Sequence, residues 1–246
     1  MTALIDPGLR PLIRKLERLG PLSDEERRTL EDFSPGARWV GAARDLAREG
    51  ERPTECQLIV KGLACRYKVL DDGQRQILSF QVPGDLLDLT ALLLGRMDHG
   101  ISTLTAVQVV LVPNAALLDW IGRYPNLGRL LWRDTLIDSE ISCEWVAKVS
   151  ARSASQRVAH LLCELATRLH AAGAARDHAC DLPLTPMELA DATGLSVVHV
   201  NRAVQTLRRQ GLVEPRGQAM AALDWAGLKR AADFDPAYLH PLAAAA

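Results

Sequence analysis

The chain has 246 residues, of which 48% are hydrophobic, and a formal net charge of −1. Length and apolar content suit two domains with a sizeable core, and the balanced charge excludes a global basic field, so any contact with nucleic acid must rest on local charge. No run of about 18 apolar residues is present, which excludes a membrane-spanning helix. The first residues carry an early Asp6 and scattered charge, unlike a secretory signal. Five cysteines at wide spacings (Cys56, Cys65, Cys143, Cys163, Cys180) suit reduced thiols rather than a disulfide framework, and the expected location is the cytoplasm.

Residues 7–19 predict an amphipathic helix, with Leu9, Leu12, Ile13, Leu16 and Leu19 on one side. Ser23, with Glu26 three residues on, predicts the capped start of a second short helix through Leu30. From about Phe33 to Pro113 short apolar runs alternate with turn signals such as Asp71-Asp72-Gly73 and Pro83-Gly84-Asp85. Residues 58–60, 64–70, 76–80 and 106–112 read as strands, with Asp72-Gly73 a hairpin turn between two of them. Many short strands at near-regular spacing predict a small sandwich or barrel. Inside it, 86–94 is a short helix or a loop over a cavity.

Asn114 opens a helical region, and a longer helix is predicted over about 125–149. Its apolar residues, among them Leu130, Trp132, Leu136, Ile137, Ile141, Trp145 and Val146, spread over more than one stripe. Such a helix either faces its own domain on one side and a second subunit on the other, or is a core helix; periodicity does not choose. Residues 153–170 form another amphipathic helix, and 171–181 read as loop.

The densest pattern follows. Thr185 is a cap, Pro186 suits the first helical position, and Glu188 completes a capping box. Ala190 is small enough for a close helix crossing, and Gly194 sits where a tight turn needs positive φ. Ser196 caps a second helix, whose Val200 and Leu207 face inward and which Gln210-Gly211 ends. This is a helix-turn-helix. On the other face of its second helix Val197, Val198, Asn201, Arg202 and Gln205 form one stripe suited to reading DNA bases. Asn pairs with adenine, Arg with guanine, and Val covers a thymine methyl. Ser196, His199, Arg208, Arg209 and Arg216 are candidates for phosphate contacts. Two short apolar runs around Pro215-Arg216-Gly217-Gln218 predict a hairpin wing, and Asp224 caps a last helix. Residues 243–246 carry no packing signal.

The order of strand-rich domain, long helix and winged helix-turn-helix resembles the Crp/Fnr superfamily of bacterial transcription regulators. The strings Leu46-Ala47-Arg48-Glu49-Gly50-Glu51, Val60-Lys61-Gly62, Pro83-Gly84-Asp85, Gln156-Arg157-Val158-Ala159 and the whole of 185–213 carry the likeness. The resemblance implies an α+β chain: a cyclic-nucleotide-binding-like jelly-roll sensor with N-terminal helices over 1–124, a dimerisation helix over 125–150, and a winged helix-turn-helix domain over 151–246. It implies a homodimer on inverted-repeat double-stranded DNA, with two recognition helices about 34 Å apart. The dimer contacts are assigned to Leu130, Ile137, Ile141 and Trp145.

Departures from the family pattern narrow the expectation. Members that read a G·C pair often carry a Glu four residues before the recognition Arg; here Val198 precedes Arg202, so the half-site differs. The effector region corresponds to Asp85, Leu87, Asp88, Ser102 and Thr103. Members that bind cAMP hold the cyclic phosphate with an Arg directly before a Ser or Thr, and Ile101 stands at that place before Ser102. Neither cAMP nor cGMP is therefore expected. No cysteine precedes Cys56, and the Cys56–Cys65 spacing matches no iron–sulfur cluster, so no cluster is expected. His99 and His160 read as ordinary histidines rather than haem ligands, and no metal is assigned. A redox-sensing thiol stays open beside the commoner buried, inert cysteine.

No Gly-x-Ser-x-Gly, phosphate-binding glycine loop or His-Glu-x-x-His is present, so an enzyme is not expected. The competing reading is a small-ligand sensor module whose helix-turn-helix serves protein interaction. The sequence names neither effector nor target genes. For an activator, RNA polymerase would be a further partner, and no patch for it is evident.

Overall fold

A computed structural model describes residues 8–175, 181–216 and 219–240. Cys180, the Gly217-Gln218 turn and the 243–246 end lie outside the described residues. In chain order the elements are α1 (Arg10–Leu19), α2 (Asp24–Glu31), β1 (Ala37–Val40), β2 (Asp45–Ala47), β3 (Glu55–Lys61), β4 (Ala64–Val69), β5 (Arg75–Gln81), α3 (Leu89–Leu94), β6 (Gly100–Thr103), β7 (Val107–Pro113), α4 (Asn114–Arg123) and α5 (Pro125–Ala151). Then follow α6 (Ala154–Ala171), β8 (Asp181–Leu182), α7 (Pro186–Thr193), α8 (Val197–Arg209), β9 (Val213–Arg216), β10 (Ala219–Ala222), α9 (Trp225–Ala232) and a 3-10 turn at Pro236–Leu239. Among the described residues no helix is long and apolar enough to cross a membrane.

By contact the chain divides into two compact units, the first holding 8–66 and 81–138, the second holding 67–80 and 139–240. Two sheets, ordered β1-β7-β3 and β2-β6-β4-β5, make up the strand-rich part of the chain; β7 pairs antiparallel with β1 and β3, β2 pairs antiparallel with β6, and most of β5 with the end of β4 falls in the second unit. The small strands β1, β2 and β6 join the four read from sequence. They escape a pattern search because each spans only three or four residues. Ile59, Ala64 and Ile101 from facing strands close a core between the sheets with Leu87, Ala91 and Met97. A second core lies where α1 presents Leu9, Leu12, Ile13 and Leu16 to Leu58 and Val110 of the sheet, with Trp120 of α4 and Leu127, Leu130 and Leu131 of α5. Each such side chain contributes about 1.5–3 kcal/mol on leaving water.

The Pro83-Gly84-Asp85 turn seats against α1. Gly84 has φ +99°, and a Cβ there would lie 2.9 Å from the Pro11 carbonyl, so both backbone sign and space demand glycine. Asp85 closes the turn by accepting the Val82 N–H at 2.8 Å and pairs with Lys15 at 2.7 Å.

In the second unit α6 packs against α8 and α9. Its buried Val158, Leu161, Leu162 and Leu165 share this interior with Val200, Ala203 and Leu207 of α8 and Leu228 of α9. β10 pairs with β9 as the wing and with β8 on its other side. The hairpin arm 67–80 belongs to this unit. Its turn is closed by the Leu70 N–H donating to the Gln74 carbonyl at 2.8 Å, with Gly73 at φ +81°.

Candidate DNA-binding surface and sensor core

The geometry of α7 and α8 follows from their ends. Thr185 and Glu188 form a reciprocal capping box, the side chain of each bonding the other's backbone N–H. Gly194, at φ +66°, turns the chain in the left-handed region between the two helices. Ser196 caps α8 by accepting the His199 N–H at 3.3 Å, and its hydroxyl also meets His199 Nδ1 at 2.9 Å. With Val200, Ala203 and Leu207 inward, helical geometry turns Val198, Asn201, Arg202 and Gln205 to solvent, while Val197 is half-buried. Val198 is 59% exposed, an apolar side chain left bare among polar neighbours. Among the described residues the Asn201 amide and Arg202 guanidinium take no hydrogen-bond or ionic partner, so their donors stay available to a ligand.

The flanking cations are arranged differently. Arg208 is exposed in the last turn of α8. Arg209 folds back on its own helix, donating to the Gln205 carbonyl at 3.3 Å. Arg216 lies 3.6 Å from Glu214 on the wing, a contact open to solvent and of little strength.

The effector region is committed internally. Residues 85–88 run beside β3: Ile59 N–H donates to the Asp85 carbonyl, Leu87 N–H to the Gln57 carbonyl, and Gln57 N–H to Asp88 Oδ1 at 2.9 Å. Burial pushes the Asp88 carboxyl up to about 6, although Gln57, Cys56 and Arg66 all favour its charged form. Ser102 and Thr103 sit on the other sheet, in β6. There Thr103 Oγ1 donates to the Gly41 carbonyl at 2.8 Å and accepts the Arg44 N–H at 2.9 Å. Arg66 of β4 meets Asp138 of α5 at 2.9 Å and donates to the Leu87 carbonyl at 3.2 Å. The ion pair Arg66–Asp138 and the Lys15–Asp85–Asp134 cluster are absent from the sequence reading. Partners 70 to 119 residues apart leave no local pattern.

The thiols Cys56 and Cys163 are buried; burial pushes Cys163 up to about 12, and burial with the charge of Asp88 raises Cys56 further. Cys143 is exposed on α5. His160 lies in an aromatic cluster, its ring centroid 4.9 Å from Phe234 and 5.9 Å from Tyr238.

On α5 the four residues assigned to a subunit contact have neighbours or burial within their own chain. Leu130 is part of the first unit's core, and Ile137 packs against it. Ile141 is only 3% exposed. Trp145 stacks edge-on to Phe80 at 5.9 Å and donates its indole N–H to Glu164 at 3.0 Å. Of these four, Leu130 and Ile141 are buried, and Ile137 and Trp145 are half-buried. The outward line is Trp132, Leu136, Ser139, Cys143 and Val146, spaced 4, 3, 4 and 3 residues apart as in a coiled-coil seam. Trp132 is 68% and Val146 74% exposed. That spacing was present in the sequence, masked by the inward stripe beside it.

Two family models match the chain: a cyclic nucleotide-binding domain over residues 37–124 and a Crp-like helix-turn-helix domain over residues 156–231. A probable transcriptional activator of Rhizobium leguminosarum bv. viciae is 30% identical over 199 residues, covering 79% of each chain. The chain belongs to the Crp/Fnr family of DNA-binding transcription regulators. The nitrogen fixation regulation protein FixK of Bradyrhizobium diazoefficiens is 30% identical over 187 residues, or 76% of this regulator and 73% of FixK. The solved structure of FixK2 from Bradyrhizobium japonicum superposes with a TM-score of 0.66 at 26% identity, covering 85% of this regulator and 98% of that chain. The regulator accordingly has the family's α+β plan of jelly-roll domain, long helix and winged helix-turn-helix.

Proposed function

We propose that the regulator binds inverted-repeat DNA as a homodimer, reading each half-site with Val198, Asn201, Arg202 and Gln205 of α8 and, at the helix entry, Val197. The observation that carries this is the exposed stripe of α8, in which a bare Val198 lies beside unpartnered Asn201 and Arg202. Ser196, His199, Arg208, Arg209 and Arg216 hold the backbone phosphates. Val198 in place of a carboxylate favours a thymine methyl over a cytosine amine at its base pair.

The dimer forms through the outward line of α5, from Trp132 to Val146. Two copies in parallel register bury these side chains against their own symmetry mates. The jelly roll acts on a signal other than cAMP or cGMP. The internal bonds of Asp85, Asp88 and Thr103 and the Arg66–Asp138 pair support that reading, because a cyclic phosphate would have to displace them. No catalytic role is assigned, and the regulator works in the cytoplasm, with RNA polymerase as a further partner if it activates.

The test is selection of sites from random duplex DNA with purified protein at near-physiological salt. Enrichment of an inverted repeat, its half-sites about 10 base pairs apart, is expected. Salt-sensitive binding without any enrichment, in the presence and absence of candidate ligands, would overturn the reading.

A further inference from the structure

The last carbonyls of a helix have no partner within it and must be satisfied from outside. In α7 these carbonyls lie beside the Gly194 turn that aims α8. Two consecutive residues of β5 converge there. Arg75 Nε donates to Asp191 Oδ2 at 2.8 Å, and Gln76 Nε2 donates to the Asp191 backbone carbonyl at 2.6 Å. From α6, Arg157 reaches the Thr193 carbonyl at 3.4 Å. The Asp191 side chain is 14% exposed and that of Arg75 33%, so the pair is partly shielded from water. A cation at a helix C-terminus also suits the helix dipole.

These contacts come from a hairpin whose two strands continue into the jelly roll. Neither Arg75 nor Gln76 lies on the DNA-reading stripe, and the clamp leaves Val198, Asn201, Arg202 and Gln205 exposed. We propose that Arg75 and Gln76 are positioning residues for DNA recognition: by capping the C-terminal end of α7 they pre-order the turn that aims the recognition helix. A clamped turn need not be ordered when DNA binds, whereas a released one must be.

The inference rests on the DNA-binding reading, and its test uses full-length protein on the inverted repeat that the wild type selects. Arg75→Ala and Gln76→Ala are each expected to weaken specific binding by about five- to tenfold. Binding to random duplex and the salt slope stay unchanged, since neither side chain touches phosphate. Asp191→Ala should cost less in the Arg75→Ala background than in the wild type, because both remove the same bond, and the exchange Arg75→Asp with Asp191→Arg should restore part of the loss. Hydrogen exchange at the amides of 192–197 should quicken in the hairpin variants while those of α6 do not change. Specific affinity equal to wild type in both hairpin variants would overturn the proposal. So would tighter binding, which would make the contact a brake rather than a clamp. Failure of the wild type to select any site would instead count against the DNA reading itself.

Discussion

Lys15 of α1 holds Asp134 of α5 at 2.6 Å and, with the same ammonium, Asp85 of the Pro83-Gly84-Asp85 turn at 2.7 Å. Burial works against the charge on Lys15, but Asp134, Asp85 and Asp138 outweigh it and hold the lysine well above its usual range. Burial pushes Asp134 up to about 6 despite the pull of Lys15, with Asp138 and Asp85 adding to the push. One cation thus serves a crowd of carboxylates that cannot all stay charged without it. Lys15→Met keeps the stem and removes the charge. It is expected to lower stability by about 3–5 kcal/mol in urea unfolding, because a buried charge is left unpaired. A loss under about 1 kcal/mol would mean that water already screens the cluster.

Asp88 gives a pH dependence with a defined sign. Its carboxyl lies near 3.9 in an unfolded chain and is pushed up to about 6 in the folded one. Between about pH 4 and 6 the folded state keeps a proton that the unfolded state has released, so stability falls as pH rises through this window. Asp88→Asn keeps an acceptor for the Gln57 N–H and carries no charge. The variant is expected to gain roughly 1–3 kcal/mol at neutral pH and to flatten the profile below about pH 6. Urea midpoints across that range check it, and a variant no more stable than wild type at neutral pH would count against the assignment.

The proposed dimer is tested on the two faces of α5. Trp132→Glu or Leu136→Glu should give folded monomers in sedimentation, while Ile141→Glu should lower the melting temperature through a buried charge. In the proposed parallel seam Cys143, exposed on the same outward line, would face its own copy, so mild oxidation should yield a covalent dimer on a non-reducing gel. Dimers that survive both charge substitutions would place the seam elsewhere.

Base and phosphate contacts separate by their signatures. Arg202→Ala should cost about 1–3 kcal/mol on the selected site and relax preference at one base pair. Arg208→Ala should weaken all sequences alike and reduce the salt slope by about 0.9. Equal binding of the selected site by Arg202→Ala and wild type would remove Arg202 from the reading set.

Val198→Glu should move preference toward a C·G pair, since a carboxylate accepts from the cytosine amine. Site selection repeated with the variant reads this directly; an unchanged site would show that residue 198 does not reach a base.

What could be read from the chain alone was what lies within about one helical turn. The Thr185–Glu188 and Ser23–Glu26 boxes, the Gly194 turn, the Ser196 cap and the Asp224 cap all form as their spacing predicts, because each partner sits within three residues or so of the other. The inward and outward faces of α8 were legible for the same reason: one buried stripe leaves one exposed stripe. On α5 two apolar stripes coexist, so periodicity alone could not tell Ile141, which is buried, from Leu136, which is not.

Tertiary structure decided what depends on distant partners. Lys15 meets Asp134 across 119 residues, Arg66 meets Asp138 across 72, and Arg75 meets Asp191 across 116. A charge of either sign on a sequence strip looks solvated until the fold brings its counterpart and excludes water. That exclusion sets Asp85 and Asp88 in the buried framework of the roll and lets the hairpin grip the C-terminal end of α7.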